Sequence, residues 1–561
     1  MTDVNDLLET WLANATDSEL AAELARMKKS GDATAVNDAF YQDLEFGTAG
    51  LRGVIGAGTN RMNVYTVGRA TQGFADYLNA HFESPSVAIA RDSRHKGEEF
   101  VRHAAEVLAA NGIVAHLYPR IEPTPALSFA VRDLGCSGGI CMTASHNPAP
   151  YNGYKAYGPD GCQITTQAAH DISEAIAAVD TFSDVKALPY DEAVERGLIR
   201  IIEDDTLERF IDAVCELSAA SPEDAATELS VVYTPLHGAG LECVSVVLER
   251  GGIANVTVVP RQDEADGDFP TCPYPNPEIR EALELGIEVC RREKPDLLLA
   301  TDPDADRVGI AVADKDDYTL LTGNEVGVLL LDYLARCSAE RGEDLNRRIA
   351  VTTIVSSMMV DALAARHGFE VRRVLTGFKY IGDIIGQLER AGETDRFLFG
   401  FEESYGYLSG SHVRDKDAVN ASLLICQMAR YYKRRGMSLV EAMRALYQEY
   451  GFYRNKTFSL SYPGADGSAR MRDIMQSLRT NAFSELGGCT VERVVDYAGG
   501  MNGLPAANVV EFGLAGENKL IVRPSGTEPK IKAYLFAKGA TDEEATELLA
   551  RLETQARGLL A

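Results

Sequence analysis

A chain of 561 residues is too long for one hydrophobic core and, at roughly 100–200 residues per domain, implies about three to five of them. Its 45% hydrophobic and 25% charged residues supply enough apolar material to fold throughout, which excludes a disordered protein. With 83 Asp and Glu against 55 Lys and Arg, the net charge of −28 repels phosphate backbones and anionic lipid, so nucleic acid and membrane surfaces are not expected partners.

The first element is helical. Leu7, Leu8, Trp11 and Leu12, then Leu20, Ala21, Leu24 and Met27, recur at three- and four-residue spacing up to Lys28-Lys29-Ser30-Gly31 and predict an N-terminal helical cap. The same stretch is acidic, lacks a basic leader and a long apolar run, and does not read as a signal peptide. No window approaches ~18 uninterrupted apolar residues. The ten cysteines lie scattered from Cys136 to Cys489 without a Cys-x-x-Cys pair, as reduced thiols do, and the expected location is the cytoplasm.

Beyond the cap, short β-branched runs alternate with helical stretches, the pattern of parallel sheets covered by helices. The runs come in three sets: Val87–Ala90, Ile113–Ala115 and Gly139–Met142; Val231–Tyr233, Val256–Val259 and Leu297–Ala300; Ala350–Ile354, Val371–Val374 and Phe397–Phe399. The last run of each set leads straight into a polar segment, TASHNP, TDPDADR or GFEESYGY. Open parallel sheets bind ligands past the carboxyl ends of their strands, so these three segments are where chemistry is expected. The tail differs: Thr457–Leu460 and Lys519–Val522 read as strands, RPSGTEPKIKAYLF follows, and a final helix opens on the capping box Thr541-Asp542-Glu543-Glu544. Domain limits are placed near 205, 318 and 452, giving 1–205, 206–318, 319–452 and a smaller α+β module at 453–561.

In Thr143-Ala144-Ser145-His146-Asn147-Pro148, the Asn-Pro step forces a turn after a strand and leaves Ser145 at its apex. His146 and, in the following Tyr151-Asn152-Gly153-Tyr154-Lys155, Lys155 bring charge or proton transfer to that hydroxyl, as a phosphoryl carrier requires. Asp302, Asp304 and Asp306 alternate in a tight loop between two apolar runs and can converge on one hard cation such as Mg²⁺. An EF-hand is excluded because its sixth position is Arg307 rather than Gly and its twelfth is Ala313 rather than Glu. Arg307 alone neutralises three carboxylates weakly. Arg523-Pro524-Ser525-Gly526-Thr527 has the guanidinium, hydroxyls and glycine of a phosphate cradle without the spacing of a nucleotide-binding loop. Gly400-Phe401-Glu402-Glu403-Ser404 offers groups for sugar hydroxyls, and Phe46–Gly53 carries Arg52 on a glycine-rich loop.

TASHNPxxYNGxK, DPDADR, GFEES and RPSGTEPKIK, in this order from about Phe46 to Lys532, resemble the motifs of the α-D-phosphohexomutase superfamily of phosphoglucomutases and phosphomannomutases. The resemblance implies an α/β protein of four domains around a central cleft: three similar α/β domains with mixed, mostly parallel sheets, and a smaller C-terminal α+β domain. It implies Ser145 as the phosphoserine, and Asp302, Asp304 and Asp306 holding Mg²⁺ together with the phosphate on Ser145. Glu402 and Ser404 would hold sugar hydroxyls, and Arg523, Ser525, Gly526 and Thr527 the phosphate that is not reacting. Arg52, His146 and Lys155 would surround the reacting oxygen, with Arg307, Thr376 and Gly377 among the substrate contacts.

The chain departs from the mannose-type motif GEMSGH, having Glu402-Glu403-Ser404-Tyr405-Gly406-Tyr407 without the histidine, so the base is assigned to Lys416 of Arg414-Asp415-Lys416-Asp417. DPDADR, where many members have DGDGDR, and Thr376-Gly377-Phe378-Lys379 resemble the longer glucose- and pentose-phosphate subgroup. The expected reaction is interconversion of glucose 1-phosphate and glucose 6-phosphate, with glucose 1,6-bisphosphate as intermediate and activator. Mutases of mannose, glucosamine or pentose phosphates are the alternatives, followed by a phosphatase-like hydrolase and a silent sugar-phosphate sensor. A sensor would be expected to have lost Ser145 or one of the three aspartates. The expected partner is a small sugar phosphate; oligomeric state is not legible.

Overall fold

The computed structural model describes residues 4–47, 50–164, 166–462, 467–501, 503–525 and 530–561. These form two compact units: Met1–Leu320 with Gly382–Thr394 and Gly406–Arg430, and Leu321–Ile381 with Asp395–Tyr405 and Tyr431–Ala561. The stretch 319–452, read from sequence as one domain, thus contributes to both. No helix among the described residues is long and apolar enough to cross a membrane.

In the first unit the N-terminal cap is three helices, Val4–Asn14, Ser18–Ser30 and Ala33–Phe40. Asp17 caps the second, Gly31 ends it in the left-handed conformation (φ 63°), and Asp32 starts the third by accepting from the N–H groups of Thr34 and Ala35. Leu8, Trp11, Leu24, Val36 and Phe40 close their shared core. The sequence reading stopped at Gly31 because the third helix is too short for its apolar spacing to stand out.

The first sheet contains β1 (Leu51–Val54), β2 (Ser86–Arg91), β3 (Val114–Leu117), β4 (Gly138–Met142), β5 (Tyr151–Tyr157) and β6 (Ile199–Ile201), in the order β1-β5-β4-β2-β3-β6. β2 pairs in parallel with β3 and β4, whereas β5 runs antiparallel to β4 and β1. The second sheet contains β7 (Ser230–Thr234), β8 (Asn255–Val258), β9 (Leu297–Thr301), β10 (Val308–Asp314) and β11 (Asp317–Leu321), with β9-β7-β8 parallel and β10 antiparallel to β9. In the second unit, β12 (Ile349–Thr353) pairs in parallel with both β13 (Glu370–Val374) and β14 (Phe397–Glu402). A short strand, β15 (Gly406–Leu408), belongs to the first unit.

The three sets of strand-like runs are therefore one arrangement used three times: the first strand lies in the middle, the second on one side and the third on the other. Residues Val87–Ala90 and Leu297–Thr301 are buried without alternation, since helices cover both faces of a parallel sheet. The fourth sheet, β16 (Phe452–Ser461), β17 (Glu485–Leu486), β18 (Cys489–Asp496), β19 (Val510–Leu514), β20 (Asn518–Pro524) and β21 (Lys530–Gly539), runs in the order β16-β21-β20-β19-β18-β17 with antiparallel pairings. Leu548 and Leu552 of the last helix, Asp542–Leu560, and Met475 and Leu478 of helix Gly467–Thr480 pack on Phe512, Leu520, Val522 and Leu535. Half of the expected capping box forms: Thr541 accepts from Glu544 N–H, but Glu544 reaches back one residue further, to Ala540 N–H at 2.9 Å. The architecture is three α/β/α domains with mixed sheets plus a β-rich C-terminal domain.

Candidate active site

The segment after β4 places Ser145 at φ 51°, a left-handed backbone that costs a residue with a Cβ roughly 1–2 kcal/mol. Local bonds offset the strain: Ser145 N–H donates to Thr143 Oγ1 at 2.8 Å, and Asn147 N–H to the carbonyl of Ala144 at 3.1 Å. Ser145 is 3% exposed, and its Oγ donates to Asp302 Oδ2 at 2.8 Å, with His146 Nδ1 3.2 Å away.

Asp302 opens the loop between β9 and β10. Its Oδ1 accepts from the N–H groups of Asp306 and Arg307, which curls the loop so that Asp304 and Asp306 turn to the same side; Ala305 takes φ 48° to allow it. The three carboxylates are fully buried, with ligand oxygens all within 4.8 Å of one another. Asp304 Oδ2 accepts from Thr124 Oγ1 (2.9 Å) and Lys155 Nζ (2.7 Å), and Asp306 Oδ2 from Lys155 Nζ (3.0 Å). Lys416 Nζ lies 3.1 Å from Asp306 and 3.0 Å from Asp415.

Their other oxygens, Asp304 Oδ1 and Asp306 Oδ1, are buried and accept no hydrogen bond. Buried carboxylate oxygens without donors are expensive, and three carboxylates converging on one point suit a small hard cation. The donor set fits Mg²⁺. Burial, then the charges of Asp304 and Asp306, push the Asp302 carboxyl well above its usual range. Asp306 goes the other way: burial opposes ionisation, but Lys155, Lys416 and Arg307 outweigh it. Burial, then Arg307 and Arg52, push the His146 imidazole well below its usual value, which keeps it neutral beside Ser145.

Lys155 comes from β5: YNGYKAY, read from sequence as a polar motif after the turn, is a strand whose residues 152–157 are buried. Arg52, at the solvent, donates from Nη1 to Asn147 Oδ1 at 3.1 Å, and Arg307 from Nη1 to Glu278 Oε1 at 3.0 Å. The first unit therefore gathers Arg52, Ser145, His146, Lys155, Asp302, Asp304, Asp306, Arg307 and Lys416.

The remaining candidates belong to the second unit. Glu402 ends β14, and its Oε1 accepts from Gly377 N–H at 2.8 Å; Gly377 has φ 125°, which glycine alone adopts freely. Thr376 precedes it, just before helix Phe378–Arg390. Glu403 Oε2 accepts from Thr353 Oγ1 at 3.2 Å, and half-buried Ser404 follows. Arg523 stands on β20 opposite Lys532, and Ser525 N–H donates to the carbonyl of Lys530 at 2.8 Å. Gly526 and Thr527 lie outside the described residues.

Sequence reasoning missed Thr124, Asp415, and the pair Asp92 and Arg94. Asp92-Ser93-Arg94 directly follows β2, so the rule that pointed to the three strand-end segments applied to it as well. Thr124 meets Asp304, and Asp415 meets Tyr157 (2.9 Å) and Gln163 (3.0 Å), only through contacts remote in sequence, which carried no signal.

Three family models match the chain: phosphoglucomutase/phosphomannomutase α/β/α domain I over residues 43–182, domain II over 208–315 and domain III over 322–450. A phosphoglucomutase of Staphylococcus haemolyticus is 35% identical over 539 residues, covering 94% of this chain and 95% of that protein. A phosphoglucomutase of Staphylococcus aureus strain bovine RF122 is 35% identical over 544 residues, with the same coverage of 94% and 95%. Among solved structures, a putative phosphomannomutase of Thermus thermophilus superposes with TM-score 0.70 at 24% identity, covering 92% of this chain and 99% of that one. The parafusin phosphoprotein of Paramecium does so with TM-score 0.67 at 17% identity, covering 93% and 95%.

Proposed function

The chain belongs to the phosphoglucomutase/phosphomannomutase family, and from that premise we propose that it interconverts glucose 1-phosphate and glucose 6-phosphate with Ser145 as the phosphoryl carrier. The observation that most supports the carrier role is the Ser145 hydroxyl 2.8 Å from the buried carboxylate cluster. In the first half-reaction the bond from Ser145 Oγ to phosphorus breaks as one to the free sugar hydroxyl forms, and the hydroxyl proton passes to a base, assigned to Lys416. The product is glucose 1,6-bisphosphate. After it turns over, its other phosphoryl group moves to Ser145 Oγ and the sugar oxygen left behind takes the proton back. Asp306 and Asp415 beside Lys416 favour its ammonium form, so the lysine serves as the base once that proton has been released, and the two carboxylates stabilise the ammonium that the first half restores.

Asp302, Asp304 and Asp306, with an oxygen of the Ser145 phosphate, would hold Mg²⁺, which when bound neutralises charge on the transferring group. Such transfer depends chiefly on positioning and charge neutralisation, and Lys155, Arg52 and neutral His146 lie where they can serve it. Glu402 and Ser404 hold sugar hydroxyls beside Thr376 and Gly377. Arg523, Ser525, Gly526 and Thr527 hold the non-reacting phosphate, with Arg307 as a further contact. The domain limits 1–205, 206–318, 319–452 and 453–561 are proposed with this reading, and the ten free cysteines support a cytoplasmic location. Comparing kcat/KM for glucose 1-phosphate, mannose 1-phosphate and ribose 1-phosphate tests the substrate. The highest value is expected for glucose, and a higher one for either of the others refutes that assignment.

A further inference from the structure

Asp92 and Arg94 have no part in the reaction just described, yet both side chains are wholly buried, 3.2 Å apart, beside Ser145. A buried ion pair is costly to maintain unless its remaining hydrogen bonds are made. Here Asp92 Oδ1 accepts from Arg94 N–H at 2.9 Å, and Asp92 Oδ2 and both Nη groups of Arg94 bond to the serine loop. Thr143 Oγ1 donates to Asp92 Oδ2 at 2.6 Å and accepts from Ser145 N–H at 2.8 Å. On the other flank, the Arg94 guanidinium donates to the carbonyls of Ser145 and Asn147, and to those of Pro148 (3.0 Å) and Tyr151 (2.9 Å). Both the N–H and the carbonyl of Ser145 are thus traced to one carboxylate.

The pair is also immobilised from behind. The guanidinium lies 5.0 Å from the centroid of the Phe269 ring, and the backbone at Gly267 packs so tightly that a Cβ there would come within 2.8 Å of His95 N. A non-glycine residue keeps a left-handed backbone only where its surroundings over-determine it, and these contacts do so for Ser145.

We propose that Asp92 and Arg94 are positioning residues for phosphoryl transfer: through Thr143 and four loop carbonyls they fix the backbone of Ser145 so that its Oγ faces Asp302, without touching the substrate. The inference rests on Ser145 as carrier. It requires arginine in particular, because a planar fork with five N–H donors reaches carbonyls on several sides, whereas lysine keeps the charge but gathers its donors at one point.

The test compares Arg94→Lys and Thr143→Val with wild type and with Ser145→Ala, recording kcat and KM for glucose 1-phosphate, the thermal unfolding midpoint, and folded fraction. Misplacing a reacting group by ~1 Å costs about 100-fold, so kcat is expected to fall by about 10- to 100-fold with KM held within about twofold. Should Arg94→Lys fail to fold, Thr143→Val, which keeps the side-chain shape and removes only the hydroxyl link, carries the test. Wild-type kcat in a folded variant overturns the inference. So does a kcat loss equal to the loss of folded protein, or a raised KM at unchanged kcat, which would make Arg94 a substrate contact. Turnover in Ser145→Ala would bring down the carrier reading itself. A dead Ser145→Ala beside fully active Arg94→Lys and Thr143→Val would bring down the positioning inference alone.

Discussion

Two buried lysines show how differently the two units treat charge. Lys155, in the first, lies 2.7 Å from Asp304 and 3.0 Å from Asp306; burial works against its ammonium, but the two carboxylates push its pKa well above the ordinary value. Lys519, in the second, donates to the carbonyl of Ile354 at 2.9 Å and lies 5.0 Å from the Phe536 ring centroid, and burial pulls it down to about 8. The same side chain is thus locked into a charged network in one place and poised to lose its proton in the other. The first unit holds its candidate transfer groups in paired, buried charge, whereas the second presents its candidate sugar and phosphate groups on backbone-capped turns such as Glu402–Gly377. This difference suggests that changes in the first unit act on the chemical step and changes in the second on binding or stability.

The largest effect is expected at Ser145. Ser145→Ala removes the proposed acceptor and should lower turnover by about 1,000-fold or more while the fold persists, as read by a coupled assay and by circular dichroism. Near-normal turnover would break the comparison at its strongest point. Asp304→Asn neutralises one of the three proposed cation ligands and one of the two carboxylates that hold Lys155; metal affinity measured by titration calorimetry should weaken by about tenfold or more, and excess chelator should stop the wild-type reaction. Full activity in chelator would remove the carboxylate cluster from the chemistry.

Arg523→Ala sharpens the other side. Because the non-reacting phosphate must be held through both half-reactions, KM should rise by about tenfold for every phosphosugar while phosphate on Ser145 stays detectable by mass spectrometry. A larger fall in kcat than in affinity would mean that this loop helps assemble the site for transfer.

The smallest effect concerns Lys519. Its folded pKa of about 8 lies below the unfolded value of 10.5, so between these limits the unfolded chain binds more protons and stability rises with pH. The shift corresponds to about 3 kcal/mol of destabilisation near neutrality. Lys519→Met should lack this slope, so its advantage over wild type in thermal midpoint should shrink from pH 8 to pH 10. A constant difference would show that Lys519 is not held as described.

How much of this was legible in the sequence follows from where each signal resides. Runs such as Val87–Ala90, Leu297–Ala300 and Phe397–Phe399 stood out because strands buried on both faces are continuous in apolar residues, and Asp302, Asp304 and Asp306 because alternate carboxylates are rare between such runs. Lys155 was found as a residue but not as part of a strand, since YNGYKAY carries the polarity of a loop and is buried only through its neighbours. The third N-terminal helix, Ala33–Phe40, was too short to show a period. Thr124 and Asp415 escaped because Asp304, the partner of Thr124, and Tyr157 and Gln163, which donate to Asp415 Oδ2, are joined to them only by the fold. The interleaving of residues 382–394 and 406–430 with the first unit was invisible for the same reason.

The most direct test of the central claim follows the phosphoryl group itself. Enzyme radiolabelled on Ser145 would be mixed with unlabelled glucose 1-phosphate and quenched within a single turnover. The account predicts that label leaves Ser145 and appears first in glucose 1,6-bisphosphate, at a rate no slower than kcat. Label that stays on the protein while glucose 6-phosphate accumulates, or that appears first as inorganic phosphate, would contradict it.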